Sequence, residues 1–170
     1  NLLFITRIEN GTMQLNLQPE MIEDIFREAI HHLGRNKRKH NISMHLEDDL
    51  LMANMDARLI IQVLVNLINN AIKYTHENSN ISLNARRVED KILIEVQDDG
   101  NGVLHPDQLF EMFYTENNRG GDTRRGMGLG LSLCKSIIQS HGGTIWVENV
   151  TPHGACFKFV LDAAEVKLYE

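Results

Sequence analysis

Apolar residues recur along the chain at two spacings, one of three to four residues and one of two, and the switches between them divide it into elements. The opening Asn1–Asn10 carries Leu2, Leu3, Phe4, Ile5 and Ile8 at helical spacing and stops at Gly11, so residues 1–11 are expected to be the end of a helix. Met13, Leu15 and Leu17 alternate with polar neighbours, which predicts a short strand from Thr12 to Leu17. From Glu20 to Leu33, Met21, Ile22, Ile25, Phe26, Ala29 and Ile30 return every three or four positions before Gly34, the mark of an amphipathic helix. The basic run from Arg35 to His40 reads as a solvated loop, and Ile42, Met44 and Leu46 alternate beyond it. Leu50 to Asn54 is a second short apolar stretch, and Asp56 stands where it can cap a long helix running to about Tyr74. Strand patterns follow from Asn80 to Val88 and from Lys91 to Gln97, joined by the turn-forming Glu89 and Asp90. Between Asp98 and Gly126 the chain is polar and glycine-studded, with only the island from Leu109 to Tyr114 able to pack. Structureless connections longer than ~12–15 residues usually serve as lids or binding loops. A helix from Gly128 to His141, the break at Gly142 and Gly143, and strands from Thr144 to Glu148 and from Ala155 to Leu161 complete the pattern. Helices and strands intermingle, which predicts an α+β sandwich in two layers, a mixed sheet packed on about three helices.

The length of 170 residues fits one domain, and 42% hydrophobic with 24% charged residues excludes wholesale disorder. Lys and Arg sum to 17 against 23 Asp and Glu, a net charge of −6. Nucleic acid is therefore not expected as a partner, and no apolar run is long enough to insert into a bilayer. Cys134 and Cys156 fall in core patterns, which predicts two buried thiols and a reducing, cytoplasmic setting.

Three constellations carry chemistry. On the long helix, Ile60, Leu64, Leu67, Ile68 and Ala71 form one stripe, and Gln62, Asn66, Asn69, Asn70 and Lys73 gather opposite. Asparagine is a mediocre helix former, whereas its carboxamide offers a neutral oxygen to a hard cation and an N–H to an anion. A Mg²⁺-phosphate face explains the enrichment, as does a merely polar surface. In Asp98-Asp99-Gly100-Asn101-Gly102 a carboxylate at a strand end can accept from an exocyclic amine such as adenine's, while glycines let a ligand approach. The bland reading is an acidic turn. Gly126-Met127-Gly128-Leu129-Gly130-Leu131 precedes a helix, where free N–H groups can meet phosphate. No strand enters it and no Lys-Ser pair follows, so it is neither a Walker loop nor a dinucleotide fingerprint.

Taken together and in order, these motifs resemble the ATP-binding catalytic domain of bacterial sensor histidine kinases, in the wider GHKL group with gyrase, Hsp90 and MutL and its Bergerat fold. Gln62-x-x-x-Asn66-x-x-x-Asn70-Ala71-x-Lys73-Tyr74 resembles the N box, and Asp98-x-Gly100-x-Gly102 the first glycine box. Phe110-x-x-Phe113 resembles the F box, and Gly126-x-Gly128-Leu129-Gly130-Leu131 the second glycine box. His141-Gly142-Gly143-Thr144-Ile145-Trp146 and Gly154-Ala155-Cys156-Phe157 are similar to the potassium-responsive Kdp-type kinases. The resemblance implies that Asn66 holds Mg²⁺, that Asn70 and Lys73 contact the phosphates, that Tyr74 flanks the nucleotide and that Asp98 reads the adenine amine. It implies a pocket floor shaped by Gly100 and Gly102, and a lid of about residues 115–125 with Gly126, Gly128, Leu129 and Gly130 on its phosphate side. Arg119, Arg124 and Arg125 would meet the γ-phosphate, while Phe110 and Phe113 would anchor the lid by packing.

Two positions depart from the pattern. Gln62 replaces the glutamate with which ATP-hydrolysing relatives activate water, and a carboxamide takes no proton at neutral pH, which favours transfer to a protein side chain. Asp99 stands where Asn is usual and adds a carboxylate near a polyanion. Thr75-His76-Glu77 superficially resembles the phosphoacceptor motif, but its polar continuation reads as a loop. The acceptor histidine is expected on an upstream dimerisation domain, whose last helix would end in residues 1–11, leaving 12–170 as the catalytic domain. A homodimer and a response-regulator receiver domain as downstream partner belong to the same expectation, which leaves room for an inner-membrane anchor elsewhere in the full-length protein. His31, His32, His40 and His45 read as surface histidines.

Overall fold

The computed structural model describes residues 14–111, 114 and 129–165, apart from the side chains at 36–38 and 129. The expected helix end at residues 1–11, Phe113, the lid with Arg119, Arg124 and Arg125, and the glycines Gly126 and Gly128 lie outside the described residues.

Seven strands form one mixed sheet: β1 (Gln18–Met21), β2 (Asn41–Leu46), β3 (Met52–Met55), β4 (Asn80–Val88), β5 (Lys91–Asp98), β6 (Ile145–Asn149) and β7 (Ala155–Ala164). Their order is β1-β3-β7-β5-β4-β2, with β6 also paired to β7. Only β2 and β4 run parallel; the other pairs are antiparallel. Three helices, α1 (Ile22–His32), α2 (Ala57–Lys73) and α3 (Leu129–Ser140), contribute to the same buried cluster as the sheet. The expected α+β sandwich is thus present.

Period-two alternation gives the sheet one apolar face. Leu83, Val96, Phe157 and Val147 lie in register across four strands, and each is buried. The helices bury Ile22, Phe26, Ile60, Leu64, Leu67, Ile68 and Ile137 into the same cluster. On the other face Lys158 sits 2.9 Å from Glu148 and 3.5 Å from Glu95. Both cysteines are free and buried, in α3 and β7 as expected.

Two local expectations are corrected. Residues 14–17 carry no strand, and pairing begins only at Gln18, so a strand stands where the pattern predicts the approach to a helix. Pro19 is tolerated because β1 is an edge strand, so the N–H it lacks is not missed by a further neighbour. Asp56 does occupy the cap position of α2 but makes no side-chain cap bond. Its carboxylate accepts instead from the Asn16 N–H at 3.1 Å and lies 3.3 Å from Arg58 Nε.

Candidate nucleotide site

The polar stripe of α2 and the turn after β5 meet at the C-terminal end of α2. A Cβ added at Gly100 would fall 3.3 Å from the Tyr74 carbonyl oxygen and 2.9 Å from Thr75 Cγ2, so the glycine lets the turn lie directly against the helix end. Asp98 is carried there because β5 is central in the sheet and its last residue pairs with Ile81 on the helix-covered face. Asp98 as a whole is 3% exposed, and its Oδ1 accepts from the Gly100 N–H at 2.9 Å and the Ala155 N–H at 3.2 Å. Two backbone donors on one oxygen fix the orientation of the carboxyl group, as a reader of an amine requires.

Along α2, Gln62 is exposed while Asn66, Asn69, Asn70 and Lys73 are half-buried. Residues 62, 66 and 70 are spaced four apart and share a face, each about 6 Å beyond the last. Asn70 Nδ2 is buried and has no hydrogen-bond partner among the described residues. Such a donor costs stability unless something else accepts from it. Burial pushes the pKa of the Cys134 thiol of α3 up to about 12, with the neighbouring Asn66 side chain a smaller opposing influence, and the thiol donates to the Val63 carbonyl at 3.8 Å. The carboxamide oxygen of Asn66, with water and phosphate oxygens, is a donor set that suits Mg²⁺. Lys73 Nζ lies 5.6 Å from the centroid of the Tyr74 ring, beside the buried ring rather than far out in solvent. Gly130 is exposed in the first turn of α3, so the helix begins within the glycine series. Phe110 is buried and packs edge-on against Phe157 at 6.0 Å, anchoring the near end of the long connection.

Several contacts that hold the site were not expected from sequence. Asn149 Oδ1 accepts from the Val103 N–H at 2.7 Å and its Nδ2 donates to the Val103 carbonyl at 3.0 Å, pinning the turn after Gly102. Gly154 packs so closely that a Cβ would fall 2.2 Å from the Asp98 carbonyl oxygen, at φ +120°. Asp99 turns to the start of β4, where Oδ2 accepts from the Asn80 backbone N–H at 3.1 Å and side-chain Nδ2 at 3.3 Å. His40 is no surface histidine: its Nε2 lies 2.8 Å from Thr75 Oγ1. Only a three-dimensional pairing reveals these partners, which lie 19 to 56 residues away in sequence.

A mixed sheet under helices with an asparagine-lined helix abutting an Asp-Gly turn defines a nucleotide-binding sandwich of the GHKL type. The profile of the family described as histidine kinase-, DNA gyrase B-, and HSP90-like ATPase matches residues 55–165, and the chain belongs to that family. It is 34% identical over 161 residues to the sensor protein KdpD of Clostridium acetobutylicum, covering 94% of this chain and 18% of that protein. It is 35% identical over 165 residues to the alginate biosynthesis sensor protein KinB of Pseudomonas aeruginosa, covering 95% of this chain and 27% of that protein. The catalytic domain of the histidine kinase ThkA superposes with a TM-score of 0.76 at 28% identity, covering 86% of this chain and 97% of that domain. The chain spans 18% to 40% of the length of the first curated relatives it matches, all of them sensor proteins or sensory kinases.

Proposed function

We propose that this chain is the catalytic domain of a sensor histidine kinase, binding Mg-ATP and passing the γ-phosphoryl group to a histidine on a dimerisation domain that lies upstream in the full-length protein. The observation that carries the reading is the pairing of an oriented, buried Asp98 with an Asn70 Nδ2 that has no partner among the described residues, along one helix end. One end can accept from a purine amine and the other donate to a phosphate. Asn70 and Lys73 bind phosphate oxygens, Tyr74 flanks the base, and Gly100 and Gly102 give the nucleotide room. Asn66 holds Mg²⁺, which when bound neutralises phosphate charge. Gly126, Gly128, Leu129 and Gly130 line the phosphate side, and Arg119, Arg124 or Arg125 meets the γ-phosphate.

The imidazole nitrogen of the partner histidine attacks the γ-phosphorus, the bond to the bridging oxygen breaks, and ADP leaves with that electron pair. The chain's contribution is to hold the nucleotide in line and balance charge, as phosphoryl transfer generally requires. Gln62 orients a group near the γ-phosphate but takes no proton, which disfavours water as the nucleophile. The phosphohistidine then serves a response regulator, a reading supported by the crystal structure of the histidine kinase ThkA, 25% identical to this chain, in complex with the response regulator protein TrrA. Among the described residues no helix is long and apolar enough to cross a membrane.

Labelled ATP with and without a supplied dimerisation domain tests the proposal. Acid-labile, base-stable phosphohistidine on the added domain alone, with little phosphate release in its absence, is the expected result. Steady phosphate release without acceptor identifies an ATPase-type machine instead, and binding without transfer identifies a nucleotide-binding regulatory module.

A further inference from the structure

Beside the Asp98 turn lies a second cluster that holds two buried acceptor atoms with no hydrogen-bond partner among the described residues. The segment ending in β2 and the loop after α2 are zipped together: the Asn78 N–H donates to the Lys39 carbonyl at 2.5 Å and the Asn41 N–H to the Ser79 carbonyl at 2.9 Å. Inside this zipper Thr75 Oγ1 donates to the Ala71 carbonyl at 2.7 Å, so toward His40 it can only accept. His40 Nε2, 2.8 Å away, therefore carries the ring proton, and Nδ1 presents its lone pair. Nδ1 is buried without a partner among the described residues, and so is Asp99 Oδ1. Burial lowers the pKa of His40, while the charges of Asp99 and, less strongly, Glu77 raise it.

The groups around the ring come from each element packed there. Lys39 precedes it and lies 3.0 Å from Glu77 of the loop after α2, both largely exposed. His76 of the same loop is exposed. Asp99 comes from the glycine turn, and His153 Nδ1 lies 2.8 Å from the Asp99 carbonyl. Thr75, in turn, is the wall against which Gly100 packs. A chain of contacts thus runs from His40 through Thr75 to Gly100 and the N–H that orients Asp98.

We propose that His40 is a positioning residue for the purine end of the site, and that a proton taken up at Nδ1 is shared with Asp99 Oδ1, drawing the glycine turn and the 34–41 segment together so that nucleotide is held more firmly in mild acid. The nucleotide half of this proposal rests on the function proposed above; the proton half does not. Asp99, the residue out of pattern in the first glycine box, then gains a role as the proton's second acceptor rather than a burden on the phosphates.

The test has two independent readouts. The first is an NMR titration of the His40 Cε1–H between about pH 5 and about pH 8 in wild type, Asp99→Asn and Glu77→Gln. The expected midpoint falls in Asp99→Asn and falls less in Glu77→Gln. A midpoint unaltered by Asp99→Asn overturns the bridge, and wild type with that conservative variant suffices even if changes at His40 unfold the chain. The second readout is ADP affinity near both ends of this range in wild type and His40→Gln, taken as the ratio of the two proteins at each pH so that the nucleotide's own ionisation cancels. Wild type should gain about fivefold over His40→Gln on acidification. An equal pH response in the two proteins overturns the coupling. Absence of ADP binding at every pH overturns the nucleotide-site reading and this proposal's second half, while an Asp99-dependent midpoint still supports the shared proton.

Discussion

An amide nitrogen buried without an acceptor costs a folded chain about 1–3 kcal/mol, and among the described residues Asn70 Nδ2 is in that position. If its acceptor is a phosphate oxygen, binding and folding respond in opposite senses to its removal. Asn70→Ala should leave stability to urea unchanged or raise it slightly, since alanine is also the better helix former, while nucleotide affinity falls about tenfold. Parallel losses in both would make Asn70 an ordinary structural residue. Asp98→Asn should behave differently. It weakens the charge-assisted bonds from the Gly100 and Ala155 N–H groups, so stability should fall by about 1–3 kcal/mol together with preference for adenine over guanine nucleotides. Urea melts and competition binding read both. At this scale the sequence exposes residues whose type is unusual for their place, asparagines on a helix and an acid before a glycine turn. It hides those whose place only folding creates. Asp56 looks like a cap by position, yet Asn16 and Arg58 compete for its carboxylate. His40 is one more polar residue after a basic run until Thr75 arrives beside it.

Between elements, His141 joins the end of α3 to the beginning of α2. The Asp56 backbone N–H donates to its Nε2 at 3.0 Å, and Nδ1 lies 2.8 Å from the Ile137 carbonyl, so the ring is the neutral tautomer with its proton on Nδ1. Burial lowers its pKa, against smaller opposing effects of the Ile137 bond and of Asp56. An unfolded histidine takes up a proton near pH 6.5, and the folded one does so only at lower pH. The stability it supports is therefore complete above that pH and is lost as pH falls through the lowered folded value. His141→Gln should cost about 1–2 kcal/mol at neutral pH and flatten the decline of urea midpoints on acidification. A decline of undiminished slope would assign the acid sensitivity elsewhere. The helices were legible because their apolar stripes are long and regular, and β4 and β5 because alternation and a turn coincide. The first strand slipped because Leu15 and Leu17 imitate an alternation, while the pairing with β3 runs from Gln18 to Met21.

At the scale of the whole molecule, strand order was not legible, since β7 closes against β3, β5 and β6 across most of the chain and no local pattern encodes that choice. What the sequence did carry was the consequence of that order, a glycine wherever two backbones are forced together. Gly154, with Gly143, is one of the two tightest cases: β7 begins where the Asp98 carbonyl passes, leaving 2.2 Å for any Cβ at φ +120°. Its obstacle is backbone, which a rotamer change cannot relieve. A Cβ at Gly34, at φ +58° after α1, would meet nothing within 4 Å, so a substitution there is strained by conformation alone. Gly34→Ala should then cost only about 1–2 kcal/mol and leave nucleotide affinity intact. Gly154→Ala should cost about 3 kcal/mol or more, and what remains folded should bind nucleotide poorly, because the Ala155 N–H that holds Asp98 is displaced with it. The single tryptophan, Trp146 on β6, reports unfolding of the sheet in both variants. Equal losses in the two would mean that the contact between the β5 turn and the start of β7 is looser than the distances state, and that Asp98 is oriented by its own turn alone.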